Sequence, residues 1–206
     1  MILFNNPKKY YLENKKEIIS TTKNFFESGF YVKSNSLKKF EENFANYVGS
    51  KFCIGVGNGT DALYLSLKCL GIKSGDEIII PSHTATGTGT AILMCNAKPI
   101  FVDVDDSLNI DVNNIEKLIT KKTKAIIPVH LYGQSCEMLK LKKIANKYKI
   151  KIIEDCSQSF GTKLNDKHTG TFGLFGCFSF YPTKNLGCFG DGGAIITNSK
   201  SKAKLL

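Results

Sequence analysis

One lysine is set apart from the others by its neighbours. Lys184 lies in Ser179-Phe180-Tyr181-Pro182-Thr183-Lys184-Asn185-Leu186-Gly187, an apolar and glycine-rich stretch, whereas lysines such as Lys140, Lys142, Lys143 and Lys147 sit on a polar helical face. Withdrawal from water disfavours an ammonium, so an amine in such surroundings gives up its proton more readily and becomes a nucleophile. Asp155 is the second unusual group. It follows Lys151-Ile152-Ile153-Glu154, at the carboxyl end of a buried strand, where an uncompensated carboxylate is expensive and a cationic partner is expected. A turn or helix-capping aspartate is the commoner fate of such a residue; its chemical interest comes from its place on the strand-end rim. The third feature is Gly55-Val56-Gly57-Asn58-Gly59-Thr60, between a strand and a helix, where free amides and the helix dipole can hold a phosphate. The spacing fits a plain strand-to-helix turn equally well. It is not G-x-G-x-x-G, because Thr60 takes the third glycine's place, and no Gly-Lys-Ser/Thr follows as in a P-loop.

Taken together, the amine, the acid and the amide cradle answer the needs of one cofactor, pyridoxal 5'-phosphate. The lysine would form the imine, the carboxylate would keep the pyridine nitrogen protonated, and the amides would hold the phosphate. Other chemistries fit less well. The seven cysteines are an odd number, never two residues apart and mostly embedded in apolar stretches, which suits buried reduced thiols and neither a zinc cluster nor a disulfide framework. Cys156 has the carboxylate of Asp155 beside it, which raises a thiol's pKa. No metal is expected. His130 and His168 carry no separate signal and read as structural or surface residues. The net charge of +10 comes from lysine alone, without the arginine forks that grip phosphates and base edges, so a nucleic-acid partner is not expected.

The elements that must position these groups follow from alternation of short apolar runs with amphipathic segments. Ser36 is a candidate cap for a helix in which Leu37, Phe40, Phe44, Tyr47 and Val48 share a face, ending at Gly49. Strands are predicted at 52–56, 77–80, 99–104, 124–129 and 151–154, with helices from the Gly57–Thr60 turn to Gly71 and over 86–96, 111–121 and 137–149. Beyond these, 176–181 and 193–197 read as strands bracketing the glycine-rich loop 187–193. This order predicts an α/β fold with a mainly parallel sheet sandwiched by helices and active groups at the carboxyl ends of its strands. The first forty residues read as a helical arm that packs on something else, and 200–206 as the start of another helix. No apolar run approaches the ~20 residues needed to cross a bilayer, and no secretory signal is read at 1–11, so a cytoplasmic protein without a membrane partner is expected.

The motifs Asn58-Gly59-Thr60-Asp61-Ala62-Leu63, Gly75-Asp76-Glu77-Ile78-Ile79-Ile80-Pro81-Ser82, Val129-His130-Leu131-Tyr132-Gly133-Gln134, Glu154-Asp155-Cys156-Ser157-Gln158 and Ser179 to Gly187 resemble, in order, those of the DegT/DnrJ/EryC1/StrS sugar aminotransferases. The match runs from about residue 29 to 198. The resemblance implies the large domain of the type I, aspartate-aminotransferase fold. It makes Lys184 the Schiff-base lysine and proton shuttle, and Asp155 the partner of the pyridine nitrogen. Gln158 would contact the ring-hydroxyl side. The phosphate would rest on the amides of Gly59, Thr60 and Asp61 and on the Thr60 hydroxyl, helped by Ser179. It further implies an amino donor, usually glutamate, a keto group on a nucleotide-linked sugar as acceptor, a role in polysaccharide biosynthesis, and a homodimer.

Three departures from the family pattern shape the expectations. Ala85 stands where the family places an aromatic ring over the cofactor, and His83 either supplies the stacking or is a loop histidine. Ser34 replaces a glycine after Gly29-Phe30-Tyr31, so the loop there is expected to take another path. Family members also continue into a smaller C-terminal domain. The expected organisation is therefore a helical arm at 1–35 and an incomplete cofactor-binding large domain at 36–206, with the small domain absent. The alternative is a truncated, catalytically inactive protein of the same fold with a binding or regulatory role. A dehydratase relative is a weaker alternative, because that branch has histidine where Lys184 stands.

Overall fold

Runs of isoleucine with no polar face have to be buried on both sides, and the computed structural model, which describes residues 5–206, shows how. In β2 (Glu77–Pro81), Ile78 and Ile80 turn to one face of the sheet and Ile79 to the other. The first face packs on α4 (Gly59–Cys69) and α5 (Thr86–Met94) through Ala62, Leu63, Leu67, Ala91 and Ile92. The second packs on α6 (Val112–Ile115) and α7 (Met138–Tyr148) through Val112, Ile115, Met138, Leu141 and Ala145. Each fully buried Ile or Leu contributes about 1.5–3 kcal/mol, against about 1 kcal/mol for a helix cap. Packing therefore holds α5 helical despite Gly87 and Gly89.

The remaining strands are β1 (Phe52–Val56), β3 (Lys98–Val102), β4 (Thr123–Ile126), β5 (Lys151–Asp155), β8 (Phe175–Ser179) and β9 (Gly193–Thr197), with a separate hairpin of β6 (Lys163–Leu164) and β7 (Lys167–His168). The seven-stranded sheet has the order β1-β9-β8-β5-β4-β2-β3. Strands β3, β2, β4, β5 and β8 are parallel, while β9 runs antiparallel to both β8 and β1. All strands but β9 thus point the same way, and the carboxyl ends of β1, β2, β4, β5 and β8 share one rim. This is the mainly parallel, helix-covered sheet expected from the sequence. A third apolar cluster joins Phe44, Ala45 and Val48 of α3 (Asn35–Val48) to Phe178, Ala194 and Ile196.

Several boundaries differ from expectation, each for a local reason. Helix α3 is capped by Ser34, whose hydroxyl accepts from the Leu37 amide at 3.4 Å, so Ser36 lies inside the helix. The serine that departs from the family's glycine thus gives the helix its start. The helix expected at 111–121 shrinks to α6 and one turn of 3-10 helix, Glu116–Leu118, after Asp111 caps the amide of Asn113. The Asn pair and the β-branched Ile119 and Thr120 favour extended or turn geometry over helix. Two arm helices, α1 (Pro7–Glu13) and α2 (Lys15–Glu27), bury none of their residues. The first four residues of the expected arm lie outside the described residues. The chain's last helix is α8 (Lys200–Ala203). Among the described residues, no helix is long and apolar enough to cross a membrane.

All seven cysteines are free. Burial, aided by Glu41, pushes the Cys53 thiol up from 9.0 to about 12. Burial likewise raises Cys156 to about 11; the neighbouring carboxylates of Glu154 and Asp155 add to the rise and His130 opposes it. A thiol kept neutral by the fold ionises freely once the chain unfolds, so this stabilisation is complete below the ordinary value of 9.0 and is lost as pH rises towards the folded values. The unfolding free energy from urea titration, and with it the midpoint, should fall between pH 9 and 11, the free energy by on the order of 1 kcal/mol per thiol per pH unit. A midpoint unchanged over that window would show that these thiols are not held neutral.

Candidate active site

The rim shared by the parallel strand ends opens into a cavity of about 690 Å³, within the size range of cofactor sites. It is lined by residues at or just after the ends of β1 (Asn58 to Asp61), β2 (Thr84 to Thr88), β4 (Val129 and Leu131), β5 (Asp155, Ser157 and Gln158) and β8 (Ser179, Tyr181 and Lys184). Of the candidate residues, Gly59, Thr60, Asp61, Asp155, Gln158, Ser179 and Lys184 meet here. His83 does not line it. Its ring is exposed and its Nε2 lies 3.1 Å from the Tyr132 hydroxyl, while Ala85 does line the cavity.

The amino end of α4 forms one wall. Asn58 caps the helix, its Oδ1 accepting from the Asp61 amide at 2.8 Å and its carbonyl from the Ala62 amide at 3.0 Å. The amide of Asp61, expected to join the cradle, is therefore already committed. Those of Gly59 and Thr60 have no acceptor among the described residues. A Cβ built on Gly59 would stand 2.7 Å from the Ser179 Cβ and 3.2 Å from the Ser157 hydroxyl, and one on Gly87 would stand 2.6 Å from the Thr60 hydroxyl. Glycine at these two positions leaves room where two free amides, the helix dipole and the hydroxyl-bearing side chains of Thr60, Ser157 and Ser179 line the same cavity, donors of the kind an anion requires.

Asp155 forms the floor. It is 4 % exposed. Its Oδ2 accepts from the Thr88 hydroxyl at 3.0 Å and its Oδ1 from the Ser157 amide at 3.1 Å. The cationic partner expected from the sequence is missing: among the described residues no ion pair involves Asp155. A buried acid held by neutral donors and lining a cavity has its charge unmatched on the cavity side.

Lys184 enters from the loop after β8, half-buried. Its amide closes a turn on the Tyr181 carbonyl at 2.8 Å, and Asn185 ties the loop to the Phe160 carbonyl at 2.8 Å. The arm reaches this loop as well: the Asn5 amide group donates to the Thr183 carbonyl at 2.9 Å, and Tyr10 and Tyr11 pack on Phe189. Gln158 accepts from the Tyr132 amide at 3.0 Å, and Tyr132 adopts a left-handed backbone (φ 54) to make that contact.

Sequence reasoning missed the residues that hold the floor in place. Glu154, directly before Asp155, is fully buried, and its carboxylate accepts from the amides of Gly170 (2.7 Å), Phe172 (2.7 Å) and Gly173 (2.6 Å) and from His130 Nε2 (3.0 Å). Burial works against a charge on His130 while Glu154 favours one. The Cys136 amide, which can only donate, points at Nδ1 from 3.0 Å and fixes the ring proton on Nε2. His168 is also buried, its Nε2 accepting from the Gly161 amide at 2.9 Å, and burial pushes its pKa down. The structural reading of both histidines therefore holds. His130, Glu154 and Cys156 come within 4.8 Å of one another, but the imidazole and carboxylate are already committed to protein partners.

Comparison with known proteins gives this arrangement its context. The chain is 46% identical over 207 residues to a dTDP-3-amino-3,6-dideoxy-alpha-D-galactopyranose transaminase of Aneurinibacillus thermoaerophilus, an overlap covering 100% of this chain and 57% of that one. It superposes on the crystal structure of DesV from S. venezuelae in complex with a ketimine intermediate, with a TM-score of 0.96 and 38% identity over 98% of this chain and 55% of the other. It also superposes on NtdA from Bacillus subtilis with bound cofactor PMP, with a TM-score of 0.89 and 36% identity over 94% and 44% of the two chains. The chain spans about half the length of the curated relatives it matches. The family model described as DegT/DnrJ/EryC1/StrS aminotransferase matches residues 12–206, so the motifs on the rim and the sheet beneath them agree, and the chain belongs to that family.

Proposed function

We propose that this chain is the cofactor-binding part of a pyridoxal-phosphate-dependent aminotransferase that transfers an amino group from an amino acid, glutamate by family expectation, to a keto group of a nucleotide-linked sugar. The carrying observation is the unmatched buried carboxylate of Asp155 in the same cavity as the Lys184 amine and the free amides of Gly59 and Thr60. An anion, a cationic ring nitrogen and a carbonyl on one small molecule would satisfy all three. The bound cofactor supplies an electron-accepting ring and an aldehyde that receives the amine.

Each residue then has a task. The amides of Gly59 and Thr60, with the hydroxyls of Thr60, Ser157 and Ser179, hold the phosphate, and Asn58 keeps the helix start in place through Asp61. Asp155 would face the ring nitrogen and favour its protonated form. Gln158 would meet the ring-hydroxyl edge. Lys184 would hold the cofactor through Nζ and, as an amine beside the reacting centre, would serve as the group that carries a proton. In this reading residues 1–35 are a helical arm, of which Asn5, Tyr10 and Tyr11 meet the Lys184 loop, residues 36–206 bind the cofactor, and the working protein is a homodimer. Ala85, which lines the cavity where the family resemblance implies an aromatic ring, favours a second reading, an inactive member of the same fold that binds the cofactor for another purpose.

Titration of the chain with pyridoxal phosphate tests the first link: saturable uptake with a visible absorbance band of covalent attachment is expected, and no saturable uptake would overturn the assignment. Turnover with glutamate and a keto sugar nucleotide then separates the two readings.

A further inference from the structure

We propose that Thr88 is a positioning residue for Asp155, using its hydroxyl to aim the carboxylate at the cofactor's ring nitrogen; this rests on the cofactor reading above. Thr88 is 1 % exposed, in the first turn of α5, and its Oγ1 donates to Asp155 Oδ2 at 3.0 Å. An ionised carboxylate only accepts, so the hydroxyl proton of Thr88 is committed to Asp155 and its lone pairs are left for another donor. That donor is the Thr84 hydroxyl, 2.8 Å away and four residues earlier. The relay therefore has one direction, Thr84 to Thr88 to Asp155.

The other carboxylate oxygen is held by the Ser157 amide at 3.1 Å. One donor on each oxygen fixes rotation about the last side-chain bond and leaves the remaining acceptor capacity of the carboxylate for the cavity. Ser157 lies two residues from Asp155 and only closes a local turn. Thr88 belongs to a different layer, so it is the contact that references the carboxylate to the wall formed by α5. Valine in its place has nearly the same shape and no donor, and it leaves Oδ2 free to turn away.

The test compares pyridoxal phosphate with its 1-deaza analogue, which lacks the ring nitrogen, by equilibrium titration of the whole chain. Discrimination is the ratio of the two dissociation constants. Thr88→Val should reduce that ratio about tenfold, the worth of one hydrogen bond to a charged group, and Thr88→Ser should keep it within about twofold of the parent. A purely structural role would weaken both ligands alike and leave the ratio unchanged, and that result overturns the proposal, as does loss of the ratio in Thr88→Ser. If the parent chain takes up neither ligand, the cofactor reading itself fails and the proposal falls with it. If the parent takes up both without preferring pyridoxal phosphate, Asp155 does not meet the ring nitrogen: the positioning role of Thr88 and the role given to Asp155 are refuted together, while cofactor uptake by the chain stands.

Discussion

Lys184→Ala should bind pyridoxal phosphate near stoichiometric concentration without developing the visible band of covalent attachment that the parent chain shows there. The expectation follows from composition of the cavity: Lys184 is its one lining amine among the described residues. Reversible uptake should survive in the variant, because the free amides of Gly59 and Thr60 and the Asp155 carboxylate are untouched. Turnover, where the complete protein supports it, should fall by at least about 10²–10⁴-fold, the range for loss of a positioned acid-base group, since nucleophile and proton carrier go together. Lys184→Arg should not restore the band, because a guanidinium keeps its proton. Absorbance spectra of the parent chain and both variants, taken during titration, decide the matter. A band of full strength in Lys184→Ala would place the attachment elsewhere and remove the reason for reading this loop as catalytic.

The second large effect concerns stability and comes from the acid next door. Glu154→Ala strands four donors, the buried amides of Gly170 and Phe172, the half-buried amide of Gly173 and the buried His130 ring. At a lower bound of about 1 kcal/mol for each unsatisfied group, the loss is about 4 kcal/mol or more, comparable with the whole stability of a marginal domain at about 5–15 kcal/mol. Glu154→Gln should cost nearly as much, because its amide nitrogen must face at least one donor where the carboxylate faces only acceptable ones. Urea unfolding of the parent and the two variants measures this. A Glu154→Gln variant within about 1 kcal/mol of the parent would show that water or a rearranged loop replaces the network. The surface pairs offer a contrast: Lys9–Glu13 and Lys23–Glu27 are exposed i,i+4 contacts whose removal should be barely visible.

These two effects have different visibility in the sequence. Lys184 was legible because its neighbours are unlike those of any surface lysine, and the chemistry of an amine depends on its immediate surroundings. Glu154 was not, because an acid beside Asp155 in an apolar strand gives no sign of which partners it meets 16 to 19 residues later. Alternation along β5 sends the two side chains to opposite faces, Glu154 into the 170–173 loop and Asp155 to the cavity. The same limit hid the β6–β7 hairpin, whose two-residue strands are too short for a period and whose turn rests on the left-handed backbones of Asn165 and Asp166.

The sequence by itself determined the layered sheet, from isoleucine runs and helical stripes, the three segments bearing the amine, the acid and the cradle, and the family to which they belong. Only the tertiary structure decided that Asn58 claims the Asp61 amide, that His83 pairs with Tyr132 outside the cavity, that Ser34 starts α3, and that Thr88 rather than a protein cation meets Asp155. The reason is one of range. Periodicity and side-chain type act over a turn of helix or a few residues of strand, whereas the partner of a polar group is whichever donor the packed layers bring within about 3 Å, and Asp155 on β5 takes the Thr88 hydroxyl from 67 positions away.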